Sequence, residues 1–282
     1  MGAPPKVSRT HGSEHAPEQR TRAPACAGRF YPASPAQLGE AVDGLLAGAT
    51  PGPSAAKGVI APHAGYAYSG PIAATAYASL RARAQEIERV VLLGPAHHVY
   101  LDGLALPKAD AFATPLGEVE LDAGLAARVL ELPQVQRSAE AHAREHSLEV
   151  HLPFLQAILP RFRLLPLVVG DATPEQVAEV LELCWGGPET AIVISSDLSH
   201  YHDYAQATQL DRATAESIVG ATRPGLDPRR ACGARCIDGL LALGQRHAIA
   251  VELLDLRNSG DTAGPRDQVV GYGAFAIREG RS

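Results

Sequence analysis

Histidines recur where apolar runs of this chain end. Pro62-His63-Ala64-Gly65-Tyr66 follows Gly58-Val59-Ile60-Ala61, and Gly94-Pro95-Ala96-His97-His98 follows Arg89 to Leu93. Ser195-Ser196-Asp197-Leu198-Ser199-His200 follows Ala191 to Ile194 in the same way. Imidazole suits zinc, copper, iron and nickel, and must be neutral to bind them. His63 and His97 are therefore candidate metal ligands. Consecutive side chains of an extended segment point to opposite sides, so only one of His97 and His98 should reach a given ion. Asp197 and His200 could orient each other, supply a base or add a ligand. Capping of the next helix by Asp197 or Ser199 is the competing reading.

Two further stretches are dense in donors. Glu145-His146-Ser147-Leu148-Glu149-Val150-His151-Leu152-Pro153, if helical, puts Glu145 and Glu149 on one face at i,i+4. A solvated face is the plain alternative for the glutamates, and His146 is the member expected in the pocket. In Ala231-Cys232-Gly233-Ala234-Arg235-Cys236, the glycine after Cys232 lets backbone and thiolate approach an ion closely. Cys-x₃-Cys without a second pair is a poor structural zinc signature, so a single thiolate joining two histidines is the better reading. Cys184, beside Trp185 at the end of a helical run, reads as core.

The elements that must position these groups follow from hydrophobic patterning. Short β-branched runs, including Leu164 to Val169, alternate with helical segments at Pro71–Arg83, Pro174–Cys184 and 206–218. Nearly continuous apolar strands separated by helices predict a three-layer α/β/α fold around a central, largely parallel or mixed sheet. In such a sheet ligands bind beyond the carboxyl ends of the strands, where His63, His97 and the Asp197–His200 segment fall. Residues 248–256 and 269–277 read as two more strands forming an antiparallel edge, and 102–121 as a hairpin insertion. Residues 1–24 show no periodicity and are expected to be a mobile tail. The Gly/Pro/Ser/Ala stretch Ala47 to Ala56 precedes the first convincing strand. A single domain is expected over 25–282.

Composition narrows the function. The 282 residues carry a net charge of −6, and only Lys6, Lys57 and Lys108 are lysines, so nucleic acid is not the expected partner. Apolar runs are strand-sized, far below the roughly 20 residues that span a bilayer. The first residues lack the apolar core of a secretory signal. Four scattered cysteines do not make a disulfide framework. A cytoplasmic protein with reduced thiols is expected.

Taken in order, Ala27-Gly28-Arg29-Phe30-Tyr31-Pro32, Ala61 to Tyr66, Leu93 to His98, Glu145 to Pro153, Ser195 to His200 and Cys232-Gly233 resemble the Memo family, whose prokaryotic members are protein B of the AmmeMemoRadiSam system. The resemblance runs from about residue 25 to the C-terminus. It implies a fold similar to the class III extradiol (LigB-like) dioxygenases. It also implies a metal site of His63, His97 and Cys232 lined by Asp197 and His200. Those non-haem iron enzymes use a carboxylate as third ligand, so a thiolate at Cys232 departs from their pattern and favours copper(I) or zinc as well as iron. His151 stands where many prokaryotic members have Gln. By family context, AMMECR-type and radical-SAM proteins are the expected partners.

The leading expectation is a redox-active protein holding iron(II) or copper, with zinc as a further choice, and acting on a small molecule whose identity the sequence does not give. His200, oriented by Asp197, would take a proton from a substrate hydroxyl, and Tyr66 or His146 would hydrogen-bond substrate or oxygen. Against it stands a non-catalytic metal-binding or partner-binding scaffold. A third reading, a zinc-dependent hydrolase, rests on His142-Ala143-Arg144-Glu145-His146, which fits H-x-x-E-H but requires both histidines on one helix face. Gly271 to Ala276 echoes a dinucleotide fingerprint without the helix that must follow it. There is no Walker A lysine and no G-x-S-x-G elbow.

Overall fold

Buried strands and amphipathic helices alternate in the computed structural model, which describes residues 20–50, 56–220 and 225–279. The first half of the chain contains β1 (Thr21–Arg22), α1 (Pro35–Gly48), β2 (Gly58–Ala61), α2 (Tyr66–Ala78), β3 (Arg89–Pro95), β4 (Leu104–Leu106), β5 (Ala111–Thr114) and β6 (Gly117–Glu120). Then come α3 (Ala123–Val129), β7 (Val135–Arg137), α4 (Ala139–Ala143), α5 (Leu152–Ile158), β8 (Arg163–Val169) and α6 (Pro174–Cys184). The last part holds β9 (Thr190–Ser195), β10 (His200–His202), α7 (Tyr204–Val219), α8 (Ala234–Gly244), β11 (Ile249–Asn258) and β12 (Val269–Glu279).

Among the described residues nine strands form one sheet in the order β10-β12-β2-β9-β3-β8-β4-β7, with β11 on β12. The central strands β2, β9, β3 and β8 are parallel, while β12 runs antiparallel to β2 and β4 antiparallel to β8. Alternate residues of each strand serve opposite faces. Val59, Val90, Leu92 and Val193 pack with Leu38 and Val42 of α1, Ile72 of α2 and Phe154 of α5. Ile60, Val91, Leu93 and Ile194 pack with Val177 and Leu181 of α6 and Ile237 and Leu240 of α8. The sheet is thus mixed and covered on both faces, as the patterning predicts. No helix among the described residues is long and apolar enough to cross a membrane.

Several boundaries differ from expectation for identifiable reasons. The helix expected over Pro71–Arg83 begins at Tyr66 and carries Pro71 inside it, because the Tyr66 amide is caught by the Phe30 carbonyl and Ser69 bonds back to Gly65. The hairpin expected within 102–121 is the β5–β6 pair alone, and β4 joins the main sheet. Of the two final strands, β12 is interior because β2 takes its other side. Residues 1–19 and 51–55, within the expected tail and the Gly/Pro/Ser/Ala stretch, lie outside the described residues.

The last residues of the expected tail are part of the fold. Thr21 and Arg22 pair in parallel with Ala111 and Phe112 of β5. The Arg22 guanidinium donates to the Glu149 carboxylate (2.5 Å) and to the carbonyls of His142 (2.7 Å) and Glu145 (2.8 Å). Glu149 is wholly buried and also accepts from the amides of Ala25 and Cys26 and from the Tyr31 hydroxyl. Removing one partner of a buried ion pair strands the other charge away from water. Arg22→Ala is therefore expected to lower unfolding free energy by about 3–5 kcal/mol in a denaturant titration. A loss within the error of the titration would mean that Glu149 is held by its other donors alone.

Candidate metal centre

Because β2, β9 and β3 are neighbours in parallel, their carboxyl ends open onto the same rim. His63 leaves β2, His97 leaves β3, and β9 ends on Ser195 just before Asp197. His146 arrives from the segment between α4 and α5 and lies against His97, ring centroids 4.6 Å apart. Phe30 covers another side of it at 4.6 Å. One donor nitrogen from each of His63, His97 and His146 can be chosen so that all three lie within 4.8 Å of one another. Cys232 stands outside this trio but beside it, its Sγ 3.3 Å from His63 Nε2. A Cβ at Gly233 would overlap the Ser195 carbonyl oxygen, so the glycine is what lets this loop close on the end of β9.

Two of the three imidazoles are held from behind by hydrogen bonds. The His97 amide and Nδ1 both donate to the Glu145 carboxylate, at 2.7 and 2.8 Å. Ser147 adds a third N–H to the same group. Since a carboxylate only accepts, His97 carries its proton on Nδ1 and presents Nε2. His63 contacts Ser195 Oγ through Nδ1 at 2.6 Å, and its amide donates to Asp197 Oδ1 at 2.8 Å. The Asp197 amide points at Cys232 Sγ (3.2 Å), and the Cys232 amide returns to the Asp197 carbonyl.

Burial sets the protonation states. It holds the His63 imidazole well below its ordinary value, with His97, His146, His151 and His200 adding repulsion. Burial and then His97 bring His146 down to about 4, and burial also lowers His200. Burial raises Asp197 to about 7, against the amide bonds of His63 and Ala64. For Glu145, burial favours the neutral form, but His97 and the amides of His97 and Ser147 outweigh it and bring the carboxyl to about 2. The Cys232 thiol is pushed up by burial and by Asp197. Neutral imidazoles are the form that coordinates, so burial readies His63 and His146 for a borderline transition metal, and the spacing of the three rings fits one as well.

Not every expected site residue takes its expected part. Tyr66 does not turn its hydroxyl to the site: it donates to the Val150 carbonyl at 2.7 Å, and the ring packs on Tyr31 and Phe154 in the core. Asp197 does not orient His200, because its Oδ1 is engaged by the His63 amide while His200 Nδ1 bonds the Leu198 carbonyl at 2.8 Å. His98 is exposed. Glu145 and Glu149 are buried rather than solvated, and the segment joining them is not an α-helix. The hydrolase pattern fails on the same ground, since α4 stops at Ala143 and His142 Nε2 bonds the Ala105 carbonyl. Patterning alone missed Glu145 as the anchor of His97 and Ser195 as the contact of His63. A serine closing an otherwise apolar strand was the available signal for Ser195.

Comparison with known proteins places the chain. The family model described as Memo-like protein matches residues 22–276. A MEMO1 family protein of Methanopyrus kandleri is 36% identical over 285 residues, covering 92% of this chain and 99% of its own length. One from Aquifex aeolicus is 36% identical over 272 residues, covering 90% and 97%. Among solved structures, an uncharacterized protein of Escherichia coli K12 is similar in fold, with a TM-score of 0.52 at 12% identity, covering 77% of this chain and 98% of that one.

The buried imidazoles give the fold a predictable acid response. His142, His146 and His151 titrate in the fold at about 4, 4 and 3, against 6.5 for a free side chain. Below pH 6.5 the unfolded chain takes up protons that the folded chain refuses, so stability falls progressively toward pH 4. Asp197 opposes this between pH 7 and 3.8, where the folded chain keeps a proton that the unfolded chain has lost. Three groups outweigh one. The thermal midpoint of chelator-treated protein is expected to drop between about pH 7 and about pH 5. A midpoint that holds or rises over that interval would show the imidazoles to be charged in the fold.

Proposed function

We propose that this chain, which belongs to the Memo-like family, is a metal-binding protein whose rim site holds iron(II) or copper for redox chemistry on a small molecule. The observation that carries this reading is the convergence of three imidazoles, His63, His97 and His146, at the rim formed by the carboxyl ends of adjacent parallel strands. Bound there with few protein ligands, such an ion would supply open positions for a substrate or oxygen and a means of moving electrons.

His63 and His97 are donors in every version of the site. For the third position the spacing favours His146, while the family resemblance favours Cys232, whose sulfur adjoins His63 Nε2. The spacing supports His146 as the third nitrogen donor, with Cys232 as the sulfur beside it. His200 is suited to accept a proton. A carbonyl only accepts, so the bond to Leu198 places the His200 proton on Nδ1 and leaves Nε2 bare, and burial keeps the ring neutral. A cavity of about 240 Å³ lined by Pro95, Ala96, Tyr100, Cys232 and Arg235 offers a small molecule a place beside the sulfur.

Elemental analysis of protein purified without oxygen is expected to find near-stoichiometric iron or copper. His63→Ala, His97→Ala and His146→Ala should each remove most of it, and Cys232→Ser less. Full retention in His146→Ala with loss in Cys232→Ser would instead make the thiolate the third ligand, and retention in all four variants would sink the site.

Oxygen uptake with a panel of catechols and related phenols tests turnover. Where uptake is found, His200→Ala should slow it by about 10²- to 10⁴-fold at unchanged metal content. Silence across the panel by fully loaded protein would favour metal binding without catalysis.

A further inference from the structure

Behind His63, on the side of its ring away from Cys232, buried polar groups follow one another into the core. His63 Nδ1 lies 2.6 Å from Ser195 Oγ, and that oxygen lies 2.6 Å from the Ser147 carbonyl and 2.8 Å from His151 Nε2. His151 Nδ1 is in turn 2.8 Å from the Tyr77 hydroxyl. Ser147, Ser195, His151 and Tyr77 are all at most 1% exposed. His151 and Tyr77 take no part in the chemistry described above, and buried side chains do not gather this way without satisfying one another.

The protons along this row of groups can be placed by elimination. Two oxygens at 2.6 Å need a hydrogen between them, and a carbonyl has none, so the Ser195 hydroxyl donates to Ser147. Ser195 Oγ has then spent its one hydrogen and can only accept from both imidazoles. His151 must donate from Nε2, which leaves Nδ1 to accept from the Tyr77 hydroxyl. His63 must donate from Nδ1. The far side of the ring agrees, because Nε2 is then a bare acceptor facing the Cys232 thiol. His151 matters because its N–H fills the second acceptor position of Ser195. Without it Ser195 loses one of the three contacts that hold its Oγ against His63, and a hydroxyl that swings away leaves Nδ1 without an acceptor, so the ring can take the Nε2–H form.

We propose that Ser195, His151 and Tyr77 are positioning residues that fix His63 as the Nδ1–H tautomer, so that the Nε2 lone pair is presented to the cation. The consequence for the cation rests on the metal-binding reading, whereas the tautomer itself belongs to the protein alone. His63 is thereby served by a neutral hydroxyl and His97 by a carboxylate, and both rings offer the same nitrogen.

The test uses ¹⁵N-labelled, chelator-treated protein. Long-range ¹H–¹⁵N spectra report which imidazole nitrogen carries the proton, and competition with a chromophoric chelator gives the affinity for zinc(II). In the unmodified protein the His63 proton is expected on Nδ1. His151→Leu should introduce the Nε2–H form and weaken zinc binding by about 10- to 100-fold. His151→Gln, which keeps one N–H for Ser195 and one acceptor for Tyr77, should retain both the tautomer and the affinity.

An Nε2–H His63 in the unmodified protein overturns the proposal without any variant having to fold. So does an unchanged tautomer in His151→Leu, or equal weakening by Leu and Gln, which would mark His151 as packing only. An Nδ1–H His63 in protein that binds no zinc would leave the tautomer assignment standing and count against the metal reading instead.

Discussion

The rim of this sheet depends on the buried carboxylate of Glu145. It takes the Nδ1 proton of His97, the His97 amide and the Ser147 amide, while its own backbone carbonyl is gripped by Arg22. A carboxylate this deeply buried keeps its charge only because charge-assisted and amide hydrogen bonds together exceed its desolvation cost. Those same bonds fix the loop that delivers His146. Ring orientation at His97, chain path at 145–147 and the approach of His146 are thus one arrangement rather than three.

Crowding imidazoles is unfavourable if they are charged. His63, His97 and His146 lie with ring centroids 4.6 to 5.3 Å apart, a spacing at which like charges in a low-dielectric interior repel strongly. The fold resolves this by burying His63 and His146 so that their neutral forms prevail. Neutrality is also what coordination demands. The condition that lets the rings sit together is also the one that would let them bind a cation.

Support for this rim reaches across the molecule. Arg22 lies near the start of the described residues, pairs through its strand with β5, and ties the segment holding Glu145 to the buried Glu149. Glu149 in turn gathers the amides of residues 25 and 26 and the Tyr31 hydroxyl, and the neighbouring Phe30 lies on His146. The N-terminal segment therefore forms part of the wall of the site.

Much was legible in the sequence by itself. Apolar strands broken by helices determined a sheet covered on both faces, and the rule that parallel strands open their sites at their carboxyl ends put His63, His97 and the Asp197–His200 segment on one rim. Those inferences are local, since a strand's end and its next residues are fixed by chain order. Which groups face one another across the rim is set by packing between segments far apart in sequence, and only the tertiary structure decided it. It brought His146 in as the third nitrogen, buried two glutamates that local pattern allowed to be solvated, turned Asp197 to the His63 amide rather than to His200, and spent the Tyr66 hydroxyl on a core carbonyl. Polar residues carry no periodic mark of burial, because their place inside depends on a partner that the local sequence does not name.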